Sequence, residues 1–226
     1  MRQRINDSIK ATMVSTATGS DLDNLLLLFG VKRLTITPVS DTPPVEAVME
    51  ADDNYRRRGL LVLEPFSTAG PKLGYEYHGL GVVGVHDIVV SGTSTSNGVV
   101  DIKVMSATSQ ASETLLDKVR GALNDEKIRP MATQLIVESA TAVDYQIQAT
   151  LALNNTPESA LSLGAAIKAV DEYVALRFKI GKNTHLSGIY TALQQPGVEG
   201  IELILPASNV SVNNTQFANN TAISIS

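Results

Sequence analysis

The chain has 226 residues, enough to bury a core without disulfides or metals. It is 43% hydrophobic with only 4% aromatic residues and no Trp, so Leu, Val, Ile and Ala must build its core. With 23 acidic against 18 basic residues the net charge is -5, which argues against a sequence-independent nucleic-acid binder. The absence of Cys removes thiolate metal sites and thiol nucleophiles. The longest apolar runs, such as Leu25 to Phe29 and Leu60 to Leu63, are far short of the roughly 20 residues that span a bilayer, so no membrane insertion is expected. MRQRINDSIK at the N-terminus lacks the apolar stretch of a signal peptide.

The first third reads as helical. From Arg4 to Ala17, Ile5, Ile9, Met13 and Ala17 recur every fourth residue, the mark of one helix face. The segment ATGSDLDNLLLLFGVKRL, Ala17 to Leu34, predicts a helix closing at Gly19 and a restart capped by Ser20 and Asp21. A short leucine-rich helix then stops at Gly30. Residues 35–44 form a Pro-rich connector, and a third helix is expected to begin near Pro44. It runs through EAVMEADDNYRRR, with Asp52 and Asp53 four residues before Arg56 and Arg57. A fourth helix, Gly70 to Val83, is weakened by Gly74, Gly79 and Gly81.

The pattern then changes. Val85 to Val90 reads as a strand, SGTSTSNG as a turn, and Val99 to Met105 as a half-buried strand. Ser112 caps a helix carrying Leu115, Leu116, Val119 and Leu123. Leu135 to Ala140 and Tyr145 to Leu153 are expected to pair as an antiparallel hairpin. Thr156, Pro157 and Glu158 signal the start of a long helix that runs through Phe178 to Gly181. A shorter helix follows from Thr184, and Pro196-Gly197 turns the chain into the strand Val198 to Leu205. From Val99 the order β-α-β-β-α-(α)-β is the ferredoxin-like, split βαβ order. The expected class is α+β: a helical region at 1–84, a ferredoxin-like sandwich at 85–206 with the Val85 strand as an extra edge, and a polar tail at 207–226. That tail either frays or adds an edge strand at Ala222 to Ile225.

Chemistry is sparse. His78, His86 and His185 are the only histidines and none stands four residues from another, so no helical metal pair exists. Each is expected to be structural or at the surface. No Walker motif or nucleophile elbow occurs. GLGVVG at Gly79 to Gly84 precedes a strand instead of following one, the wrong order for a dinucleotide site. No cofactor and no metal are implied. Glu50, Asp52 and Asp53 form an acidic cluster, and three readings of it stay open. Paired carboxylates serve acid–base work or Mg²⁺ binding. The blander reading, and the favoured one, is a solvated helix face neutralised by Arg56, Arg57 and Arg58. The third makes Asp52, Asp53, Arg56, Arg57 and Arg58 a charged contact surface for another subunit. Arg129-Pro130 needs no more than a helix exit.

The segment ATGSDLDNLLLLFGVKRL resembles the signature of the baseplate J family of contractile-tailed phages and related injection machines. Further matches come in the family's order. EADDNYRRR (Glu50 to Arg58) resembles its acidic-Asp-Asp-x-x-Arg-x-Arg helix, and AGPKLGYEYHGL (Ala69 to Leu80) its Ala-Gly-x-x-x-x-Tyr-x-x-x-Ala-Leu helix. VHDIVV, Ile128-Arg129-Pro130 and Pro196-Gly197-Val198 fall where the family has a strand, an R-P junction and a P-G-V turn. The resemblance covers residues 2–206. It implies a virion protein, a structural wedge component of the tail baseplate. Such a component assembles in the host cytoplasm, contacts other wedge and hub proteins and itself, and couples baseplate opening to sheath contraction. It implies no catalytic residue. Gly79 stands where the family has Ala, which is expected to loosen that helix. The chain is expected to lack a further N-terminal region of the family. The rival readings are a ferredoxin-like module that binds a small effector and a tail-associated cell-wall hydrolase.

Overall fold

A computed structural model describes residues 8–38, 40–41, 44–62, 72–92, 98–125, 128–129, 133–154 and 159–226. The helix start at Thr156, Pro157 and Glu158, residues 4–7 of the first helix, Ala69 to Pro71 and Pro130 lie outside that set. The chain divides into two compact units. One comprises Met1–Ala107 with Ala111–Glu138, the other Thr108–Gln110 with Ser139–Ser226.

Among the described residues the first unit opens with helical residues 8–11, α1, followed by turns as far as residue 16. The long first helix expected from the apolar spacing does not form among the described residues. The hydroxyls of Thr12 and Thr16 bond the carbonyls of Ile9 and Lys10 at 2.8 Å, competing with helical continuation. Of the expected face, Ile9 and Met13 are about half exposed and Ala17 alone among the described residues is buried. Helix α2 (Gly19–Leu27) follows. Gly19, at φ 54°, opens this helix and does not close the one before, and Thr18 at the cap position makes no side-chain bond to it. At the far end Gly30, at φ 75°, stops the helix as expected. Across it the Val31 N–H reaches the Leu26 carbonyl at 3.2 Å, with both side chains buried.

Residues 35–49 hold four short strands: β1 (Thr35–Thr37), β2 (Ser40–Asp41), β3 (Pro44–Val45) and β4 (Val48–Met49). β1 pairs antiparallel with β4 and β2 with β3. The third helix therefore starts at Asp52, not near Pro44: α3 is Asp52–Leu60. The chain is held extended up to that point, because the Glu50 N–H bonds the Leu34 carbonyl at 2.8 Å and Ala51 has ψ 149°.

Helix α4 (Lys72–Leu80) leads through Gly84, at φ 102°, into β5 (Val85–Gly92), which pairs antiparallel with β6 (Val99–Ser106). Gly79 does not loosen α4. A Cβ there would lie 2.3 Å from Cδ1 of buried Ile88, so the missing methyl is what lets strand and helix close on each other. Ser112 caps α5 (Glu113–Leu123) through the Leu115 N–H, and Leu115, Leu116, Val119 and Leu123 are buried as read from the sequence. β7 (Gln134–Ser139) completes the sheet β5-β6-β7. The Gln134 N–H bonds Gly98 near the start of β6, and Glu138 meets Lys103 further along both strands, so β6 and β7 run parallel around α5. Ile88, Val90, Ile102 and Val104 of the sheet share one core with α5 and with Tyr75 and Leu80 of α4.

The second unit is built on β8 (Thr141–Leu153), the centre of a sheet ordered β10-β8-β9 with β9 (Val198–Leu205) and β10 (Gln216–Ile225). β9 is antiparallel to β8 and β10 parallel to it. Tyr145, Ile147, Ala149 and Leu151, every second residue of β8, face the core with Ala166 and Val170 of α6 (Ser159–Arg177) and Ile189 and Leu193 of α7 (Leu186–Leu193).

The class is α+β, but the ferredoxin-like sheet is not assembled. Its expected strands are split between two sheets, and β7 and β8 do not form a hairpin. Only Ala140 separates them, too little chain to turn back on itself.

Within the second unit Tyr173 spans the start of α7. Its hydroxyl accepts from the His185 N–H at 3.1 Å and donates to the His185 carbonyl at 3.2 Å. A Cβ on Gly188 would lie 2.3 Å from that ring. Gly188→Ala should displace Tyr173 and destabilise this unit by about 1–3 kcal/mol. Hydrogen exchange across α6 and α7 measures the effect, and unchanged protection there would contradict it.

Candidate functional site

The acidic and basic residues singled out around Asp52 do not sit on a solvated face. They fasten helix α3 to the corner that precedes and follows α2. Asp52 is the first residue of α3, yet its Oδ2 accepts the Gly19 N–H at 2.9 Å. The first N–H groups of a helix have no partner within it. Those of α2 expected Ser20 or Asp21; a carboxylate 33 residues later in the chain supplies the bond instead. The same carboxylate lies at the positive end of α3. Its other oxygen meets Arg33 Nη2 at 2.8 Å. The Gly19 N–H first, and Arg33 beside it, hold the Asp52 carboxyl below the usual carboxylate range.

Arg33 is the hub. Its Nε and Nη2 bond Asp23 Oδ1 at 2.9 and 2.6 Å, and Nη1 bonds the Glu50 carbonyl at 2.6 Å. Burial works to lower its pKa, but Asp23 and Asp52 outweigh that and raise it. The guanidinium lies 4.7 Å from the ring centre of Tyr55, and Arg58 lies 5.6 Å from the same ring. Tyr55 is buried and its hydroxyl donates to the Val31 carbonyl at 2.9 Å. Arg58 and Glu50 form a buried two-pronged pair, Nε to Oε1 at 2.9 Å and Nη2 to Oε2 at 2.6 Å. Backbone groups join the pair: Glu50 Oε2 accepts the Leu34 N–H at 3.1 Å, and Arg58 Nη2 donates to the Lys32 carbonyl at 2.7 Å.

The other two arginines also turn inward. Arg56 donates to the carbonyls of Val14 at 2.8 Å and Ala17 at 2.6 Å, and pairs with Asp53 at 2.7 Å. Arg57 crosses to β5, pairing with buried Asp87 and reaching the Ile88 carbonyl at 3.4 Å. Of the five residues named as a contact surface, only Asp53 is fully open to solvent, with 82% of its side chain exposed. Sequence reasoning missed Arg33, Asp23 and Tyr55, because their partners lie 10 to 24 residues away and follow no helical or strand period. The steric fit is as close as the polar one. A Cβ on Gly59 would lie 2.3 Å from Leu26 of α2, so α3 approaches that helix nearly backbone to side chain.

Acid–base work by the Asp52–Asp53 pair finds little support in this geometry, since Asp52 is engaged by a backbone N–H and a guanidinium. Among the described residues no group of three His, Asp or Glu side chains is placed to hold a metal. His78 stands edge-on to Tyr77 at 5.3 Å, and burial pushes its pKa down. His185 occupies the cap position of α7, and His86 lies in β5. No helix among the described residues is long and apolar enough to cross a membrane.

Two domain descriptions of one family match the chain: Baseplate J-like N-terminal domain over residues 1–40 and Baseplate J-like central domain over residues 67–139. Baseplate protein J of Escherichia phage P2 is 43% identical over 220 residues, covering 95% of this chain and 72% of that protein. The chain belongs to the baseplate J family. Among solved structures, a chain of the six-fold symmetrised cryo-EM structure of the anti-feeding prophage baseplate matches with a TM-score of 0.48 and 12% identity. That match covers 78% of this chain and 44% of the other, so the chain spans less than half that protein's length.

Two outcomes follow from the corner. Arg58→Ala leaves the buried Glu50 carboxylate without its cation and should cost about 3–5 kcal/mol, while Glu50→Leu with Arg58→Met should cost less than the two single changes added together. Urea unfolding read by hydrogen exchange in α2 and α3 distinguishes this from strict additivity. The second outcome concerns acid. Because the folded Asp52 pKa is depressed, its contribution is complete above the unfolded value of about 3.9 and is lost as pH falls through the folded value. The stability gap between the native chain and Asp52→Asn should therefore close below about pH 4. A gap that stays constant from pH 7 to pH 2 in thermal unfolding would rule this out.

Proposed function

We propose that the chain is a non-enzymatic structural component of a phage or prophage contractile-tail baseplate. It acts as a wedge protein through contacts with other wedge and hub proteins and with its own copies. Its place is the tail baseplate of the virion, after assembly in the host cytoplasm. The observation that carries this reading is the family membership, which runs along nearly the whole chain. The corner supports it physically. In place of a cleft with free carboxylates, charge is spent on fixing helices α2 and α3 as one rigid body, which suits a part that must transmit load without deforming.

Incorporation into particles tests the proposal. A tagged full-length chain, expressed while tails of its own phage assemble, should copurify with intact tails, and immunogold labelling should mark the baseplate end. Arg58→Ala should reduce incorporation at least as much as it reduces the folded fraction. Tails that form normally and never contain the tagged protein would overturn the proposal.

A further inference from the structure

Unpaired N–H and C=O groups along the rim of a sheet invite a further strand, and folded chains commonly guard such rims with charged side chains. Three rims of the two larger sheets are guarded in this way. On β5, Arg57 reaches the Ile88 carbonyl at 3.4 Å and Glu76 accepts the Val90 N–H. On β7, Arg120 Nη2 donates to the Val137 carbonyl at 3.0 Å. On β9, Glu199 and Glu202 are exposed along the strand. β10 differs. Its start is covered, since the Gly181 N–H bonds the Gln216 carbonyl at 2.8 Å and Ile180 bridges Phe217. A bulge between Asn220 and Ala222 separates that start from residues 222–226. There the Ser226 N–H bonds the Ala149 carbonyl at 3.1 Å, and the Ser226 carbonyl accepts the Leu151 N–H at 2.7 Å. Alternation along the strand therefore turns the N–H and C=O of Ile223 and Ile225 away from β8. No strand lies on that side among the described residues, and no residue from 216 to 226 has a charged side chain.

We propose that β10 pairs antiparallel with β10 of a second copy about a twofold axis at Ser224, joining the two sheets into one. The inference rests on the self-association proposed above and names its surface. The free backbone groups set the register. With Ile223 opposite the second copy's Ile225, each residue exchanges N–H and C=O bonds with its opposite, and the twofold repeats the exchange. A slip of one residue would present groups already bonded to β8. A slip of two, in either direction, keeps one isoleucine pair and loses the other. The side chains agree with this register. The isoleucines meet on the core side, where both are partly buried. On the exposed outer side Ser224 meets Ser224, and Ala222 meets Ser226. The strand is thus its own complement in hydrogen bonding, shape and charge, and this selects a second copy as the occupant. β9 paired on itself would instead bring Glu199 and Glu202 against glutamates.

The chain has no Cys, so introduced thiols report without background. In the full-length chain Ser224→Cys places two thiols at a non-hydrogen-bonded opposite pair, with Cα atoms about 4.5 Å apart and within disulfide reach. Under mild oxidation it should form a covalent dimer about tenfold faster than Thr150→Cys, which is exposed on the central strand away from the rim. Ala222→Cys mixed with Ser226→Cys should give more of the mixed disulfide than of the two homodisulfides together, whereas random collision gives equality. Ser224→Lys sets two cations opposite each other and should weaken self-association about fivefold in sedimentation equilibrium. Circular dichroism confirms that each variant is folded. Equal rates for Ser224→Cys and Thr150→Cys, random mixed yields, or a chain monomeric at every concentration would each overturn the proposal. So would a Ser224→Lys chain kept out of tails while Ser224→Cys stays uncrosslinked, which would assign the rim to a strand of another protein. A failure confined to these measurements, with the native chain still present in purified tails, would remove the β10 surface and leave the baseplate role standing.

Discussion

The buried pairing of Arg58 with Glu50 is the constraint from which the first unit's arrangement follows. Bringing both charges out of water is costly, and the cost is recovered only if every remaining hydrogen-bonding position is filled. Here Leu34 and Lys32 add a backbone donor and a backbone acceptor from the segment just after α2. The pair therefore fixes where residues 32–34 must lie relative to α3. Once they are there, Arg33 falls between Asp23, Asp52 and the face of Tyr55. Asp52 in turn finds the free end of α2. Each contact is a condition for the next, so the corner behaves as one cooperative piece and not as a sum of surface salt bridges.

The two segments whose wording resembles the family signature, Ala17 to Leu34 and Glu50 to Arg58, are the two sides of this contact. Residues that look unremarkable one by one make sense as a pair. Gly19 offers an N–H in a conformation open to glycine, Asp52 accepts it, and Gly59 clears space for Leu26. The signature thus describes a joint between helices, consistent with its lack of any catalytic pattern.

What sequence made legible was local. Ser112 with its four apolar followers, the alternation along β8, the stop at Gly30 and the Pro196-Gly197 turn each depend on neighbours a few residues away, and each appears in the structure. The errors arose where a distant partner decided the outcome. Pro44 is a good first residue for a helix, but Glu50 is held to Leu34 and keeps the chain extended to Ala51. Ser20 and Asp21 are good caps, but Asp52 is there first. The ferredoxin-like order was present as a string of elements, yet strand order along the chain does not say which strands share a sheet. The charged cluster was found by composition alone, and its inward direction was invisible because the arginines' partners are mostly backbone carbonyls, which every sequence possesses.

The parallel placement of β10 against β8 has a consequence in time. Gln216 pairs with Thr141, so the second sheet cannot be completed until a segment some 75 residues downstream has been made, whereas the first unit is complete in sequence at Glu138. At synthesis rates of about five to twenty residues per second, the first unit has on the order of ten seconds to fold before the second can close. During that interval the hydrophobic face of β8 has only part of its cover. A nascent chain can thus be finished at the helical corner while the second sheet still lacks β10.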